Sequence, residues 1–347
     1  MKGMGFSRYG GPEVLEMVEL ADPVPGAKEV VVRTIATSMN RVDILVRLGY
    51  HGLKLDMPHL PGTDVVGRVE RLGSDVKGLY EGELVTANTV YGCSKCDACR
   101  AGDDQLCSEW KMVGLHTNGA YGELVKLPAS IIYRPPKGFS ENELAAMPLD
   151  LSLSWRIINS IGGRRAGDMV VIRGASGNLG IFATMVAKAA GMKVICLSRD
   201  ENKRERLRGL GADLAIDANR SAGEIRKEVM DFSDGRGADM VVESFGATLD
   251  ESIGLLRHGG KVVVFGTIAG TRSDVSIPPL YLGSVSVLGI HNASLRELRD
   301  SFEFASKNNI RPVIARVMGM EEAREAHAML QESRMFGKIV LRHGVNA

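Results

Sequence analysis

The stretch Asp168-Met-Val-Val-Ile-Arg-Gly-Ala-Ser-Gly-Asn-Leu-Gly180 decides the fold class of this chain. An apolar, β-branched run leads into three glycines in the pattern G-x-x-G-x-x-G. Apolar residues then recur at helical spacing from Ser176 to Ala190, and Gly191 is a helix stop signal. A strand, a glycine turn and a helix N-terminus together form a site for a dinucleotide pyrophosphate. The alternative is a tight strand–helix turn that binds no ligand.

Beyond this stretch, strand-like and helix-like segments alternate. This alternation predicts a doubly wound α/β fold with a parallel sheet and crossover helices. The predicted strands are Asp168–Arg173, Lys193–Leu197, Asp239–Glu243, Lys261–Gly266 and Val285–Ile290, followed by the helices Ser294–Lys307 and Glu321–Gln331 and a last strand Lys338–Leu341.

The first ~150 residues have a different texture and predict a second, β-rich domain. Gly and Pro break them into short pieces with β-branched runs between, at Glu29–Ile35, Val65–Glu70, Glu83–Thr86 and Ala120–Val125. A chain of 347 residues also exceeds one ordinary core, so two domains are expected.

The composition is that of an ordinary globular chain, with 24% charged and 44% hydrophobic residues. A net charge of +1 gives no electrostatic reason to expect nucleic acid or an anionic membrane as a partner. No apolar run approaches the ~20 residues of a membrane span, and the N-terminus lacks a signal-peptide pattern. We therefore expect a cytoplasmic location.

Four of the five cysteines lie close together, at Cys93, Cys96, Cys99 and Cys107. Four thiolates at this spacing on one loop predict a closed tetrahedral zinc site, one ion per chain, with a structural role. The alternative, a disulfide knot, is typical of short secreted chains. The fifth cysteine, Cys196, lies in a predicted strand and is interpreted as a buried core residue.

The end of the second predicted strand indicates which dinucleotide binds. NAD sites place Asp or Glu there, whereas this chain has Ser198 and Arg199, with Lys203 one helical turn later. A hydroxyl and a guanidinium suit the 2′-phosphate of NADP(H). The alternative is that Arg199–Arg208 is one solvated helix face, interleaved with acidic residues.

These features occur in an order that resembles the medium-chain dehydrogenase/reductases, the superfamily of zinc alcohol dehydrogenases and quinone oxidoreductases. Segments similar to that family's motifs are Pro61–Gly67, Asn40–Asp43, Asp239–Gly246, Val264–Gly266 and Gly337–Val340. The resemblance implies a GroES-like substrate domain formed by residues 1–152 and 291–347, with the zinc lobe at 92–108. A Rossmann NADP-binding domain, residues 153–290, is inserted into it, and the cleft between the domains is expected to hold the active site.

The glycine turn, the strand ends and the resemblance together imply a set of cofactor-binding residues. These are Arg41, Gly174, Ala175, Ser176, Gly177, Asn178, Leu179, Gly180, Ser198, Arg199, Lys203, Phe245, Gly246, Gly266, Thr267, Ile290, His291 and Lys338.

The chain departs from the alcohol dehydrogenases at the positions of their catalytic zinc ligands. Asn40 and Thr63 stand where the family has Cys and His, and Leu149 lies near the third position. Neutral amide and hydroxyl groups are weak zinc ligands, and a single carboxylate from Asp64 or Asp150 does not hold the ion. We expect no catalytic metal, as in the quinone oxidoreductase branch.

The resemblance places Asn40, Tyr50 and His51 as candidate catalytic groups. Tyr50 is alternatively a packing residue, and His51 an exposed loop residue. We expect an NADP(H)-dependent oxidoreductase that acts on a carbonyl, quinone or enone. The alternatives are a reductase of an unsaturated acyl thioester and a non-catalytic dinucleotide-binding protein. The apolar edge strand Ser284–Ile290 favours a homodimer or homotetramer.

Overall fold

The structure, a computed structural model, describes residues 1–163, 165–332 and 335–344. It divides into two compact units. The first comprises Met1–Ser152 and Asn292–Ala347, and the second Leu153–His291. The domain limits expected from the sequence remain predictions, since a compact unit is not by itself an independently folding domain.

The elements of the N-terminal segment are mostly short strands. They are β1 (Lys2–Gly5), β2 (Glu16–Glu19), β3 (Glu29–Ser38), β4 (Val66–Leu72), β5 (Leu84–Ala87), β6 (Val90–Tyr91), β7 (Lys111–Met112), β8 (Leu124–Pro128) and β9 (Ile132–Tyr133), with helices α1 (Arg41–Arg47), α2 (Asp97–Ala101), α3 (Glu141–Ala145) and α4 (Pro148–Trp155).

In the middle segment, strands and helices alternate. They are β10 (Met169–Arg173), α5 (Asn178–Ala189), β11 (Lys193–Ser198), α6 (Glu201–Gly209), β12 (Leu214–Asp217), α7 (Ala222–Phe232), β13 (Ala238–Glu243), α8 (Leu249–Ile253), β14 (Leu256–Val264), α9 (Ile277–Leu282) and β15 (Ser286–Gly289). The C-terminal segment adds α10 (Leu295–Lys307), β16 (Ile314–Gly319), α11 (Ala323–Gln331) and β17 (Lys338–Arg342).

The first unit is built on a mixed, mainly antiparallel sheet in the order β16-β17-β3-β4-β5-β9, with β8 also paired to β3. Strand β3 lies inside this sheet, between β17 and β4, and its residues Val30, Val31 and Val32 are fully buried. The C-terminal strand β17 pairs antiparallel with the end of β3, so that Val340 lies opposite Ser38. This pairing joins the C-terminal segment to the sheet of the N-terminal segment.

The second unit has one six-stranded sheet in the order β12-β11-β10-β13-β14-β15. All of its pairs are parallel. Every residue of β10 and β13 is buried, as expected for parallel strands covered on both faces. The order reverses at β10, which is the switch point of a Rossmann sheet. The predicted fold class, a Rossmann sheet combined with a β-rich domain, is confirmed.

The sequence analysis missed several short strands, among them β12 and β16 of the two large sheets. Strand β12 has only four residues, and β16 begins with a register irregularity against β17. Both depend on pairing with distant partners more than on local pattern. Within the described residues, every helix is too short or too polar to cross a lipid bilayer.

Candidate functional site

The glycine turn of the second unit has the geometry of a phosphate cradle. Gly174 has a φ of +68°, and a Cβ there would lie 2.8 Å from the Ser244 Oγ. A Cβ on Gly180 would lie 2.5 Å from the carbonyl oxygen of Gly174, so the helix packs directly on the strand end. At Gly177, a Cβ would meet only that same carbonyl, at 3.3 Å. The turn therefore leaves open space in front of the N-terminus of α5.

The other expected cofactor residues of this unit lie at the same edge of the sheet. They follow the carboxyl ends of parallel strands: Ser198 ends β11, Phe245 and Gly246 follow β13, Gly266 and Thr267 follow β14, and Ile290 and His291 follow β15. Ligands of such sheets bind outside these ends. Burial, with the nearby Arg156, lowers the pKa of His291.

Two arginines that follow β11, Arg199 and Arg204, have different surroundings. Arg204 is buried and donates to the carbonyl oxygen of Ser198 at 2.8 Å, and it lies 3.2 Å from Asp217. Its guanidinium therefore shapes the strand end. Arg199 instead leaves its side chain exposed. Ser198 donates from its Oγ to the Ser176 Oγ at 3.1 Å, which ties this strand end to the glycine turn.

Lys203 is half-buried beside this strand end. Burial is the main cause that lowers the pKa of its ammonium, against the opposing effect of Asp200. Asp200 itself caps helix α6 by accepting from the Lys203 N–H at 2.9 Å.

In the first unit, Asp64 is fully buried and saturated with donors. One of its oxygens accepts from the Ser38 Oγ at 2.6 Å and from the Asn40 Nδ2 at 2.8 Å. The other accepts from the backbone N–H of Leu149 at 2.9 Å, at the start of α4.

Lys338 brings an ammonium to this carboxylate from strand β17. Its Nζ donates to the Asn40 Oδ1 at 2.7 Å and to Asp150 at 2.8 Å, and it lies 3.4 Å from Asp64. Burial alone would lower its pKa, but Asp150 and Asp64 outweigh it and the pKa is raised. We call Asn40, Asp64, Asp150 and Lys338 the lysine network.

The placement of Lys338 differs from the expected contact with the cofactor. Its side chain is only 1% exposed and points into the first unit. Sequence reasoning missed the network because its members are up to 298 positions apart. The available signal was a charged residue in an otherwise apolar strand, Lys338-Ile-Val-Leu341.

Asp43 organises the backbone next to the network. It accepts from the N–H groups of Asn40 and Gly62 and, at 3.2 Å, from the Thr63 hydroxyl. Burial, with a smaller contribution from Asp64, raises the pKa of Asp43 to about 7. The Asn40 and Thr63 side chains are thus both engaged within the unit.

The candidate catalytic residues differ in what the structure shows of them. Asn40 is 3% exposed, and its amide oxygen and nitrogen both bond inside the lysine network. Tyr50 lies in a short 3-10 turn, Tyr50–Gly52, and packs on the core of the first unit. His51 belongs to the same turn, and its side chain lies outside the described residues. Their catalytic roles stay predictions.

The four cysteines lie on a lobe between β6 and β7, and their Sγ atoms are all within 4.8 Å of one another. Sulfurs bound to one tetrahedral zinc at ~2.3 Å lie at such separations. Gly92 leaves the necessary room, because a Cβ there would be 2.4 Å from the Cys99 Sγ. Among the described residues, no other group of three or more His, Cys, Asp or Glu side chains is clustered like this.

The electrostatics of the lobe also fit a bound cation. The backbone N–H groups of Lys95 and Cys96 lower the pKa of the Cys93 thiol to about 7. Burial is the main cause that raises the pKa of Cys99, and hydrogen bonds with Cys96, Asp104 and Cys107 add to it. A divalent ion would stabilise all four thiolates, so the residues present fit a structural zinc.

Comparisons with known proteins agree with this architecture. Residues 26–137 match the alcohol dehydrogenase GroES-like domain family, and residues 179–307 match the zinc-binding dehydrogenase family. The L-threonine 3-dehydrogenase of Pyrococcus abyssi is 30% identical over 94% of both chains. The acryloyl-coenzyme A reductase of Sulfurisphaera tokodaii is 27% identical over 96% of this chain and 98% of its own.

A crystal structure of an NAD-dependent alcohol dehydrogenase is 34% identical, with a TM-score of 0.92, over 99% of this chain and 100% of that chain. Fold, glycine turn and cysteine lobe thus define a nucleotide-binding oxidoreductase. The chain belongs to the medium-chain dehydrogenase/reductase superfamily, among relatives of the zinc-binding alcohol dehydrogenase type.

Proposed function

We propose that this oxidoreductase uses NADP(H) to transfer hydride to or from a carbonyl, quinone or enone, without a catalytic zinc ion. The observation that carries the proposal is the buried ammonium of Lys338. It lies among Asn40 and the acidic residues beside the positions where the resemblance would place catalytic zinc ligands. A cation is already present there, and Asn40 and Thr63 are poor metal ligands.

Different residues of the second unit are proposed to bind different parts of the cofactor. The nicotinamide supplies the hydride chemistry when the cofactor is bound. Gly177 and the first turn of α5 are proposed to bind the pyrophosphate. Ser198 and Arg199 bind the 2′-phosphate, because a hydroxyl and an exposed guanidinium occupy the strand end that has a carboxylate in NAD sites.

Reduction also requires a proton or a group that stabilises negative charge on the substrate. Quinones and enones delocalise that charge and need less help than a simple ketone. Tyr50 and His51 are the proposed donors from the first unit. Asn40 is proposed to act by holding the lysine network, because its amide is already bonded there.

The relatives favour a second candidate substrate. Two acryloyl-coenzyme A reductases, from Sulfurisphaera tokodaii and Metallosphaera sedula, match 96% of this chain. Their names describe reduction of an activated alkene on a thioester. The second candidate function is therefore reduction of an α,β-unsaturated acyl thioester, which belongs to the same hydride chemistry.

A substrate panel tests the proposal. NADPH and NADH oxidation would each be followed with a quinone, an enone, a simple ketone, acryloyl-CoA and free acrylate. The proposal expects NADPH oxidation in stoichiometric amounts with at least one conjugated acceptor. Oxidation with acryloyl-CoA alone would select the second candidate. If no acceptor is reduced, the chain is a dinucleotide-binding protein without this activity.

Assembly is proposed from the edge of the second sheet. Strand β15 is at the end of the strand order, and Val287 is 41% exposed. The large apolar side chains Ile277, Tyr281 and Leu282 on α9 are exposed as well. Unpaired apolar edges favour association, which supports a homodimer or homotetramer. A monomer by light scattering at micromolar concentration would contradict this assembly.

The cytoplasmic location stays a prediction.

A further inference from the structure

The lysine network collects more negative charge than a protein interior normally holds. Asp64 is 0% exposed and Asp150 has a side-chain exposure of 10%. Two carboxylates near one point are not both ionised in a dry interior unless a cation compensates them. The Lys338 ammonium is the cation that the structure places within 3.4 Å of both.

The oxygen atoms around this ammonium form a ligand set of a recognisable kind. They comprise two carboxylate oxygens and one amide oxygen, at 2.7, 2.8 and 3.4 Å from the Nζ. An ammonium has three N–H donors, which matches the three acceptors. Hard oxygen donors of this kind are also those that bind Mg²⁺, Ca²⁺ and Mn²⁺.

We propose that the ammonium of Lys338 is a built-in cation, occupying the position at which the oxygens of Asp64, Asp150 and Asn40 would otherwise bind a divalent metal ion. The inference rests on the part of the proposed function that excludes a catalytic metal. It deepens that part by naming the group that takes the place of the metal.

The hydrogen bonds of the network explain how a side-chain ammonium can hold these residues in place without a metal ion. Lys338 fixes the Asn40 amide through its oxygen, and Asp64 fixes it through its nitrogen. Asp64 is in turn held by Ser38 and by the Leu149 N–H. Strand β17 holds the lysine against β3 by antiparallel pairing. The positive charge is therefore present whatever the supply of metal.

The test replaces the built-in cation with an added one. Lys338→Ala removes the ammonium and leaves the oxygen ligands with an unfilled space. Lys338→Arg keeps the charge and is the matched control. Each protein, with zinc already bound in its lobe, would be titrated with MnCl₂ while bound Mn²⁺ and the thermal midpoint are measured.

The proposal expects Lys338→Ala to bind one additional Mn²⁺ per chain and to gain roughly 5 °C in thermal midpoint at saturation. Wild type, Lys338→Arg and the double variant Lys338→Ala/Asp150→Asn should bind no additional ion. An additional ion on wild type, or none on folded Lys338→Ala, would overturn the proposal.

If Lys338→Ala does not fold without added metal, refolding with and without Mn²⁺ tests the proposal instead. Refolding of this variant only in the presence of Mn²⁺ supports the proposal. Equal failure with and without Mn²⁺, while Lys338→Arg folds, overturns it. Neither readout uses NADPH turnover, so an inactive substrate panel would count against the proposed function alone.

Discussion

The cysteine lobe and the lysine network, both in the first unit, balance clustered negative charge in opposite ways. The lobe brings four sulfurs within 4.8 Å of one another, and burial raises the pKa of the Cys99 thiol. The network brings two carboxylates together and supplies the cation itself, through Lys338. We therefore expect the lobe to depend on an external ion, whereas the network depends on pairing between distant parts of the chain.

Under the proposed function, this difference explains how a family fold would keep one metal and lose another. The lobe offers four soft sulfur ligands, the kind that zinc prefers. Asn40 of the network and Thr63 beside it offer neutral oxygen atoms, and both side chains are engaged in hydrogen bonds with neighbouring residues. Four variants test this contrast, in order of decreasing expected effect.

The largest effect is expected at the lobe. Cys99→Ser should lower the zinc content from one ion per chain to none, because three thiolates no longer close the tetrahedron. Elemental analysis of the purified variant measures this. Cys196→Ser, at a buried strand position outside the lobe, is the control and should keep one ion. An unchanged zinc content in Cys99→Ser would remove the lobe as the metal site.

Loss of Lys338 from the network should lower the stability of the protein even when no metal ion is added. Lys338→Met leaves two buried carboxylates uncompensated and should lower the free energy of unfolding by roughly 3–5 kcal/mol. Arg33→Met is the matched control, because Arg33 pairs with Glu70 at the surface and should cost at most about 1 kcal/mol. Denaturant unfolding compares the two. Equal small losses would mean that the network is not a buried charge cluster.

The buried imidazole of His327 needs no compensating charge, because it is neutral in the folded protein near neutral pH. Its Nε2 lies 2.9 Å from the Tyr121 hydroxyl, and burial, with the nearby Arg47, lowers its pKa to about 3. The unfolded state then binds more protons than the folded state between pH 3 and pH 6.5, so stability falls as the pH falls through this window. The loss attributable to His327 is about 2 kcal/mol between pH 6.5 and pH 5.

His327→Gln should remove that part of the pH dependence, measured by denaturant unfolding at several pH values. His258→Gln, at an exposed position, is the control and should leave the slope unchanged. A slope in His327→Gln as steep as in wild type would show that other groups cause the acid loss.

The smallest effect is expected at the exposed cation of the second unit. Arg199→Asp should weaken NADPH binding by at least about 10-fold and leave NADH binding unchanged or improved. Added salt should shrink this difference, because the Arg199 side chain is exposed, whereas the loss in Lys338→Met should resist salt. Titration of wild type and Arg199→Asp with NADPH and with NADH measures these affinities. Equal binding of NADH and NADPH by wild type would contradict the role of Arg199.

Much of the second unit could be predicted from sequence because its signals are local. The strand, glycine turn and helix were expected at Asp168–Ala190 and are found as β10 and α5, within two residues at each end. Helix α10 was expected from Ser294 and begins one residue later, with Ser294 as its cap. Periodicity and caps act within one or two helical turns, so they are visible in a single sequence.

The lysine network could not be predicted because none of its signals is local. Asn40 and Lys338 meet only after β17 pairs with β3. Lys338 was expected at the cofactor because its motif, Gly337–Val340, resembles the family pattern, which does not show where the side chain points. The lobe was easier to predict, since its four ligands lie within fifteen residues.

We propose that the lobe binds one metal ion and that the network needs none. The most direct test counts zinc in the same wild-type preparation whose NADPH turnover is measured. We expect one zinc ion per chain in fully active protein. Two zinc ions per chain, with turnover that rises and falls with the second ion, would contradict it.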